Sequence, residues 1–160
     1  MMVNPTAAEP GDLPAASFVI ESEHFDFGGG QSIPAVNTMP YTGAEYLGLS
    51  AVHGVDYFAN EQNGNGEIYR TGESPNVPMA DNLAGQWGKE RPGFEVTTNY
   101  RIGWGGEGEW YNYSRTIPAG HYQAYAAMSR DGGEMSGRLG LVSLGVGSSR
   151  QTVWNLGRFA

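Results

Sequence analysis

The chain of 160 residues has no cysteine, which excludes a disulfide framework and thiolate chemistry. Charged residues make up only 16% of it, and its apolar runs are far too short to cross a bilayer. Its charge is one-sided, with 17 acidic and 9 basic residues and a net charge of −8. Because an acidic domain repels phosphate backbones, and no basic amphipathic helix is present, we expect neither nucleic acid nor a membrane as partner.

Long helical patterns are also missing. No stretch keeps a period of about 3.6 residues over three turns, whereas 25 glycines and 9 prolines favour frequent turns. Residues 1–17, "MMVNPTAAEPGDLPAAS", lack the basic and apolar regions of a signal peptide, and their composition predicts a flexible segment. We expect a single folded domain over residues 18–160.

The remaining pattern is that of short strands separated by turn residues. Residues 59–93 form a long, irregular connection of the kind that often carries function. The stretches predicted as strands are "SFVIESEHF", "FEVTTNYRIGW", "GEWYNYSRTI", "HYQAYAAMS", "GRLGLVSLGVG" and "RQTVWNLGRFA". Such a series predicts an all-β protein, and we expect a jelly-roll β-sandwich.

The segment "RIGWGGEGEWYNYSRTIPAG", residues 101–120, contains the only notable motifs. Its glycines spell G-x-G-x-x-G, but a dinucleotide turn needs a following helix, and here a strand and a Pro-Gly turn follow. Glu107 and Glu109 share one face of a strand, which leaves a glycan-active enzyme open beside the alternative of a solvated strand end. The three histidines are too far apart for a zinc motif.

Aromatic side chains in the same region favour a sugar-binding surface, because the C–H faces of sugar rings stack on Trp and Tyr. Trp104 lies between glycines and is the best platform, whereas Trp110 at a strand start is expected in the core. Glu107 and Asn112 can bind hydroxyl groups. The long connection can close over the site or simply pack locally; its candidate residues are Tyr69, Arg70 and Trp87.

Two stretches resemble a known family. "FVIESEHFDFGGG" is similar to the opening strand of carbohydrate-binding modules of family 6 and their relatives in families 35 and 36. "NYRIGWGGEGEWYNYSRTIPAGHYQAYAAMS" resembles their central signature, G-Y/W-x-x-x-G-[DE]-W-x-x-Y. The resemblance implies a galactose-binding-like fold that binds glycans without cleaving them, in a secreted or cell-surface bacterial protein. It also implies sugar stacking on Trp104, a packed Trp110, and a structural calcium ion held partly by Glu21 and Glu23.

The family's last strand, N-x-[DN]-W/F-F, has no counterpart before the sequence ends at "TVWNLGRFA". We therefore expect a sandwich that lacks its last strands and exposes unpaired edges for self-association. The main expectation is a non-catalytic polysaccharide-binding module. The alternatives are a ligand-free structural or assembly domain of a larger secreted protein, and a glycan-active enzyme that uses Glu107 and Glu109.

Overall fold

In the described part of the chain, the regular structure consists of four β-strands in two separate antiparallel pairs. The computed structural model describes residues 20–34, 45–60, 69–70, 100–103, 105–126, 128 and 132–159. Within them, β1 (Tyr57–Phe58) pairs with β2 (Trp110–Tyr111), and β3 (Gly137–Leu144) pairs with β4 (Thr152–Phe159). These residues contain no helix, and so none that could span a membrane. The all-β class predicted from the sequence is confirmed for this part of the chain.

A small core of aromatic side chains lies around β1 and β2. Its buried members, which we call the aromatic core, are Phe25, Tyr46, Ala51, Tyr57, Ala59, Tyr69 and Tyr100. The rings of Tyr69 and Tyr100 stack with centroids 3.9 Å apart and planes inclined by 25°. Because β1 and β2 are only two residues long, backbone pairing contributes little to holding this core together.

A fully buried arginine connects the segments around the aromatic core. The guanidinium of Arg70 donates to the carbonyl oxygens of Leu49 (2.9 Å), Glu23 (3.0 Å), Phe25 (2.9 Å) and Asp26 (3.1 Å). It also lies 4.0 Å from the ring centroid of Phe25. Burial lowers the pKa of Arg70 to about 10, so the side chain remains a cation at neutral pH. The Arg70 guanidinium thus donates to backbone carbonyls of the kind that a neighbouring strand would bind in a regular sheet.

Two buried carboxylates fix the loops on either side of the core. Asp56 accepts hydrogen bonds from the backbone N–H groups of Gly29 (3.0 Å), Gly30 (2.5 Å) and Val52 (2.8 Å). Asp26 accepts from the Ser114 N–H and from the Ser114 hydroxyl, both at 2.7 Å. Such charge-assisted bonds satisfy donors that would otherwise be buried without a partner.

The β3–β4 hairpin is long, and its turn contacts the described residues around the aromatic core, which we call the core unit. Gly147 meets Gly29 and Gly30 so closely that a Cβ at Gly30 would lie 2.7 Å from the Gly147 Cα. The Gln151 amide donates to the carbonyl of Val55 at 3.0 Å. Beyond this turn the strands run outward, paired from Leu144↔Thr152 to Gly137↔Phe159, with irregular register at two points.

Three predicted strands differ from the structure. Residues 20–26 are irregular instead of a strand, with a turn closed by the His24 N–H donating to the Glu21 carbonyl at 3.0 Å, and the carbonyls of Glu23 and Phe25 bond to Arg70. The strand expected over residues 108–117 shortens to β2, since backbone groups after Tyr111 bond to Asp56 and Asp26 instead. Residues 121–126 are exposed, and none of them belongs to a strand. The last two predicted strands are confirmed as β3 and β4.

Candidate functional site

The described residues on either side of the predicted sugar platform, Trp104, are held by packing and hydrogen bonds. Trp104 itself, like Trp87, lies outside the described residues. Before it, Tyr100 is buried against Tyr69 and Ile102 packs on the aromatic core. After it, residues 105–108 are exposed and lead into half-buried Glu109. The bend is therefore anchored on both sides of position 104.

Asn60 and Glu109 fasten the far side of this bend. The Asn60 N–H donates to Glu109 Oε1 at 3.0 Å, and Asn60 Nδ2 donates to the Glu107 carbonyl at 2.7 Å. The Glu109 N–H closes a turn onto the Gly106 carbonyl at 3.3 Å. Gly108 has φ of +82°, a conformation that favours glycine. One carboxylate of the predicted acidic pair is thus used to hold the loop, whereas Glu107 is exposed.

Three half-buried rings lie beside this fastened bend, and we call them the aromatic row: His53, Phe58 and Trp110. Phe58 and Trp110 are register partners in β1 and β2, with centroids 6.5 Å apart and planes inclined by 20°. His53 continues the row, 5.0 Å from Phe58, and its Nε2 lies 3.2 Å from the Ala59 carbonyl. The row combines partly exposed ring faces with a nearby amide and carboxylate.

Trp110 was expected in the core, and the structure places it on the opposite face. The neighbouring Tyr111 packs inward instead, 5.3 Å from Phe25 and 6.5 Å from Tyr57. Successive strand residues point to opposite faces, so an inward Tyr111 directs Trp110 outward. Burial raises the pKa of Tyr111, and the nearby Glu109 carboxylate raises it further. Neighbouring residues of β2 do point to opposite faces, but the prediction that Trp110 faces the core is wrong.

Tyr69 and Arg70, predicted to close over a sugar, are both fully buried. The Tyr69 hydroxyl accepts a hydrogen bond from the Tyr46 N–H at 2.9 Å, and burial raises its pKa well above the ordinary value. Arg70 uses its donors on backbone carbonyls, as described above. Both residues therefore act here as the local-packing alternative expects, by pinning the long connection to the core.

The remaining predicted residues hold backbone rather than line the aromatic row. Half-buried Asn112 donates from Nδ2 to the Val55 carbonyl at 2.7 Å. Glu21 is half-buried, and buried Glu23 accepts from the Ser22 hydroxyl at 3.2 Å. Calcium takes about six to eight oxygen ligands, yet the described residues contain no cluster of three acids or histidines placed for a metal. By themselves they do not fit a calcium ion, and calcium binding stays a prediction.

Sequence reasoning missed His53, Phe58 and Asn60. The signal was present in "HGVDYFAN", where alternation with an inward Tyr57 could have placed Phe58 on the outer face. The pairing of this stretch with Trp110 depends on contacts across more than 50 residues, which local pattern does not reveal.

No protein-family model, characterised protein or solved structure matches the chain.

Proposed function

We propose that this chain is a non-catalytic polysaccharide-binding module with a jelly-roll β-sandwich fold, working outside the cell or at its surface. The observation that supports it best is the aromatic row, three partly exposed rings beside Asn60 and Glu107 on a rigidly held bend. The resemblance of "GWGGEGEWYNY" to sugar-binding modules points to the same region and adds Trp104 to the site.

Sugars bind such surfaces through two complementary contacts. The C–H-rich face of a pyranose lies against an aromatic ring, and its hydroxyl groups bond to amide and carboxylate groups at the edge. Phe58 and Trp110 are nearly parallel, so their rings suit consecutive residues of a chain better than a single buried sugar. A shallow, preformed surface of this kind gives a Kd of about micromolar to millimolar.

The hydrogen bond between Glu109 and Asn60 favours a binding function over a catalytic one. Hydrolysis of a glycosidic bond requires two carboxylates free to act on either side of it. Glu109 Oε1 accepts the Asn60 N–H, and its side chain packs close to Gly106, where a Cβ would lie 3.4 Å away. A group that fixes the loop in this way is poorly placed to exchange protons with a substrate.

Affinity electrophoresis through gels that contain plant, algal or bacterial polysaccharides tests this function. We expect Trp110→Ala and Trp104→Ala each to lose most of the retardation seen with the wild type, about tenfold or more in affinity. Trp154→Ala is the matched control, because Trp154 is an exposed tryptophan on the distant hairpin. Thermal unfolding checks that each variant is folded.

Equal loss in Trp154→Ala, or no retardation of the wild type on any polysaccharide, would overturn the proposal. Release of reducing sugar by the wild type, abolished in Glu107→Gln, would instead support the glycan-active enzyme.

A further inference from the structure

The β3–β4 hairpin carries many large apolar side chains that are exposed to solvent. Leu144 is 69% exposed and Trp154 63%, and Leu139, Leu141, Val153 and Leu156 are exposed as well. In the described part of the chain, each of the two strands has only the other as neighbour. A two-stranded hairpin is marginally stable in water, and the large apolar residues Leu141, Leu144 and Trp154, which share one face of it, mark a surface that binds another protein.

A groove lies at the open end of the hairpin, beside these exposed apolar residues. It has a volume of about 370 Å³ and lies between the strands and residues 122–124. Tyr122, Leu139, Leu156, Arg158 and Phe159 line it. The lining of the groove is therefore mostly apolar and includes one cation, the guanidinium of Arg158.

The charge of the hairpin is opposite to that of everything before it. Residues 135–160 contain three arginines (Arg138, Arg150 and Arg158) and no acidic residue, so they carry +3. Of the 9 basic residues, 9 − 3 = 6 remain in residues 1–134, together with all 17 acidic ones, which gives 6 − 17 = −11. A partner complementary to the hairpin is apolar and acidic, and this chain itself carries such a charge.

Two of these arginines are placed where they repel each other. Arg138 and Arg158 are exposed and directly opposite in the register of β3 and β4. Like charges across a strand pair are destabilising unless an anionic group lies between them. A carboxylate that binds between the two guanidinium groups on this face would offset their repulsion.

We propose that the hairpin of one molecule docks on the acidic part, residues 1–134, of a second copy of this chain. Contact between two hairpins would bring like charges together, whereas hairpin on acidic surface brings opposite charges together. Such a head-to-tail contact uses a different surface on each copy, so the assembly remains open unless a ring closes. The acidic residues at the described surface include Glu21, Glu45, Glu107 and Glu109.

The mass in solution, measured by sedimentation and light scattering across protein concentration, tests this inference. We expect at least a twofold rise in average mass with concentration, and an affinity about tenfold weaker at physiological than at low ionic strength. Leu141→Asp, on the strand face, abolishes the rise. Leu47→Asp places the same charge at an exposed leucine of the acceptor part, where it adds to the acidic charge, and does not abolish the rise.

A mixing experiment distinguishes this arrangement from a symmetric dimer. The double variant Arg138→Glu and Arg158→Glu does not associate with itself, but its acidic part still accepts a wild-type hairpin. Added to the wild type, it shortens the assemblies to about dimers. A wild type that stays monomeric at all concentrations, equal effects of the Leu47 and Leu141 variants, or association strengthened by salt would overturn the proposal.

Discussion

The core unit and the hairpin reach order by opposite means. Around the aromatic core, regular pairing is limited to two two-residue strands, but Arg70, Asp26 and Asp56 satisfy the surrounding backbone groups. The hairpin has two paired eight-residue strands, yet many of its apolar side chains are exposed. Regular secondary structure and burial are therefore separate sources of stability, and in this molecule each region relies on one of them.

The largest effect is expected when the core unit loses its central cation. Arg70→Met keeps most of the side-chain volume but removes the donors to four carbonyl oxygens, three of which are in buried hydrogen bonds. We expect a loss of about 3–5 kcal/mol in the free energy of unfolding. Urea denaturation followed by tyrosine and tryptophan fluorescence measures it.

Arg138→Met on the exposed face of β3 is the control for that substitution, with an expected change within about 0.5 kcal/mol. Similar losses in the two variants would show that the core unit does not depend on its buried cation more than the hairpin does on a surface one.

Asp56→Asn should follow in size, because both oxygens of Asp56 accept backbone N–H groups. An amide turns one acceptor into a donor that points at another donor, at a cost of about 1–3 kcal/mol. At Asp26 the same change is milder, since the Ser114 hydroxyl can rotate and accept from the new amide. In urea denaturation, we expect the free energy of unfolding of Asp56→Asn to be lower than that of Asp26→Asn by at least about 1 kcal/mol.

The hairpin is tested by two glycines in β3 and β4. A Cβ at Gly140 would lie 2.5 Å from Val153 Cγ1, whereas one at Gly157 meets nothing within 4 Å. Gly140→Ala should therefore weaken strand pairing by about 1–3 kcal/mol, and Gly157→Ala should change little. Amide hydrogen exchange locates the effect: faster exchange in Gly140→Ala is expected in β3 and β4, with no change at Tyr57 or Tyr111. Loss of protection across both regions would mean that they unfold as one unit.

The sequence sufficed to predict what depends on near neighbours. Apolar and β-branched residues placed β3 and β4 correctly, because a hairpin is determined by local contacts, but the predicted strand ran on through Gly145 and Gly147, which lie in the turn. The opening segment was not predicted, since its shape depends on Arg70, more than 40 residues away. At the candidate site, the fastened bend near Glu107 followed from its glycines, but the pairing of Phe58 with Trp110 did not.

The smallest effect concerns the protonation of Asp26. Burial raises the pKa of its carboxyl above the ordinary 3.8, and this outweighs the opposing influence of Ser114 and of Arg115, while Asp56 adds to the rise. In the window between 3.8 and the raised value, the folded protein binds a proton that the unfolded chain has released. The stabilisation is complete below the unfolded pKa and is lost as pH rises through the folded pKa.

Relative to Asp26→Asn, which cannot titrate there, the wild type should lose stability with rising pH by up to about 1.4 kcal/mol per unit within that window. Urea denaturation of both proteins over a series of pH values gives the difference directly. A wild type that gains stability over Asp26→Asn as pH rises would mean that Arg115 and Ser114 stabilise the ionised carboxylate by more than burial opposes it. The core unit would then depend on its charges, and not only on the hydrogen bonds of its buried polar groups.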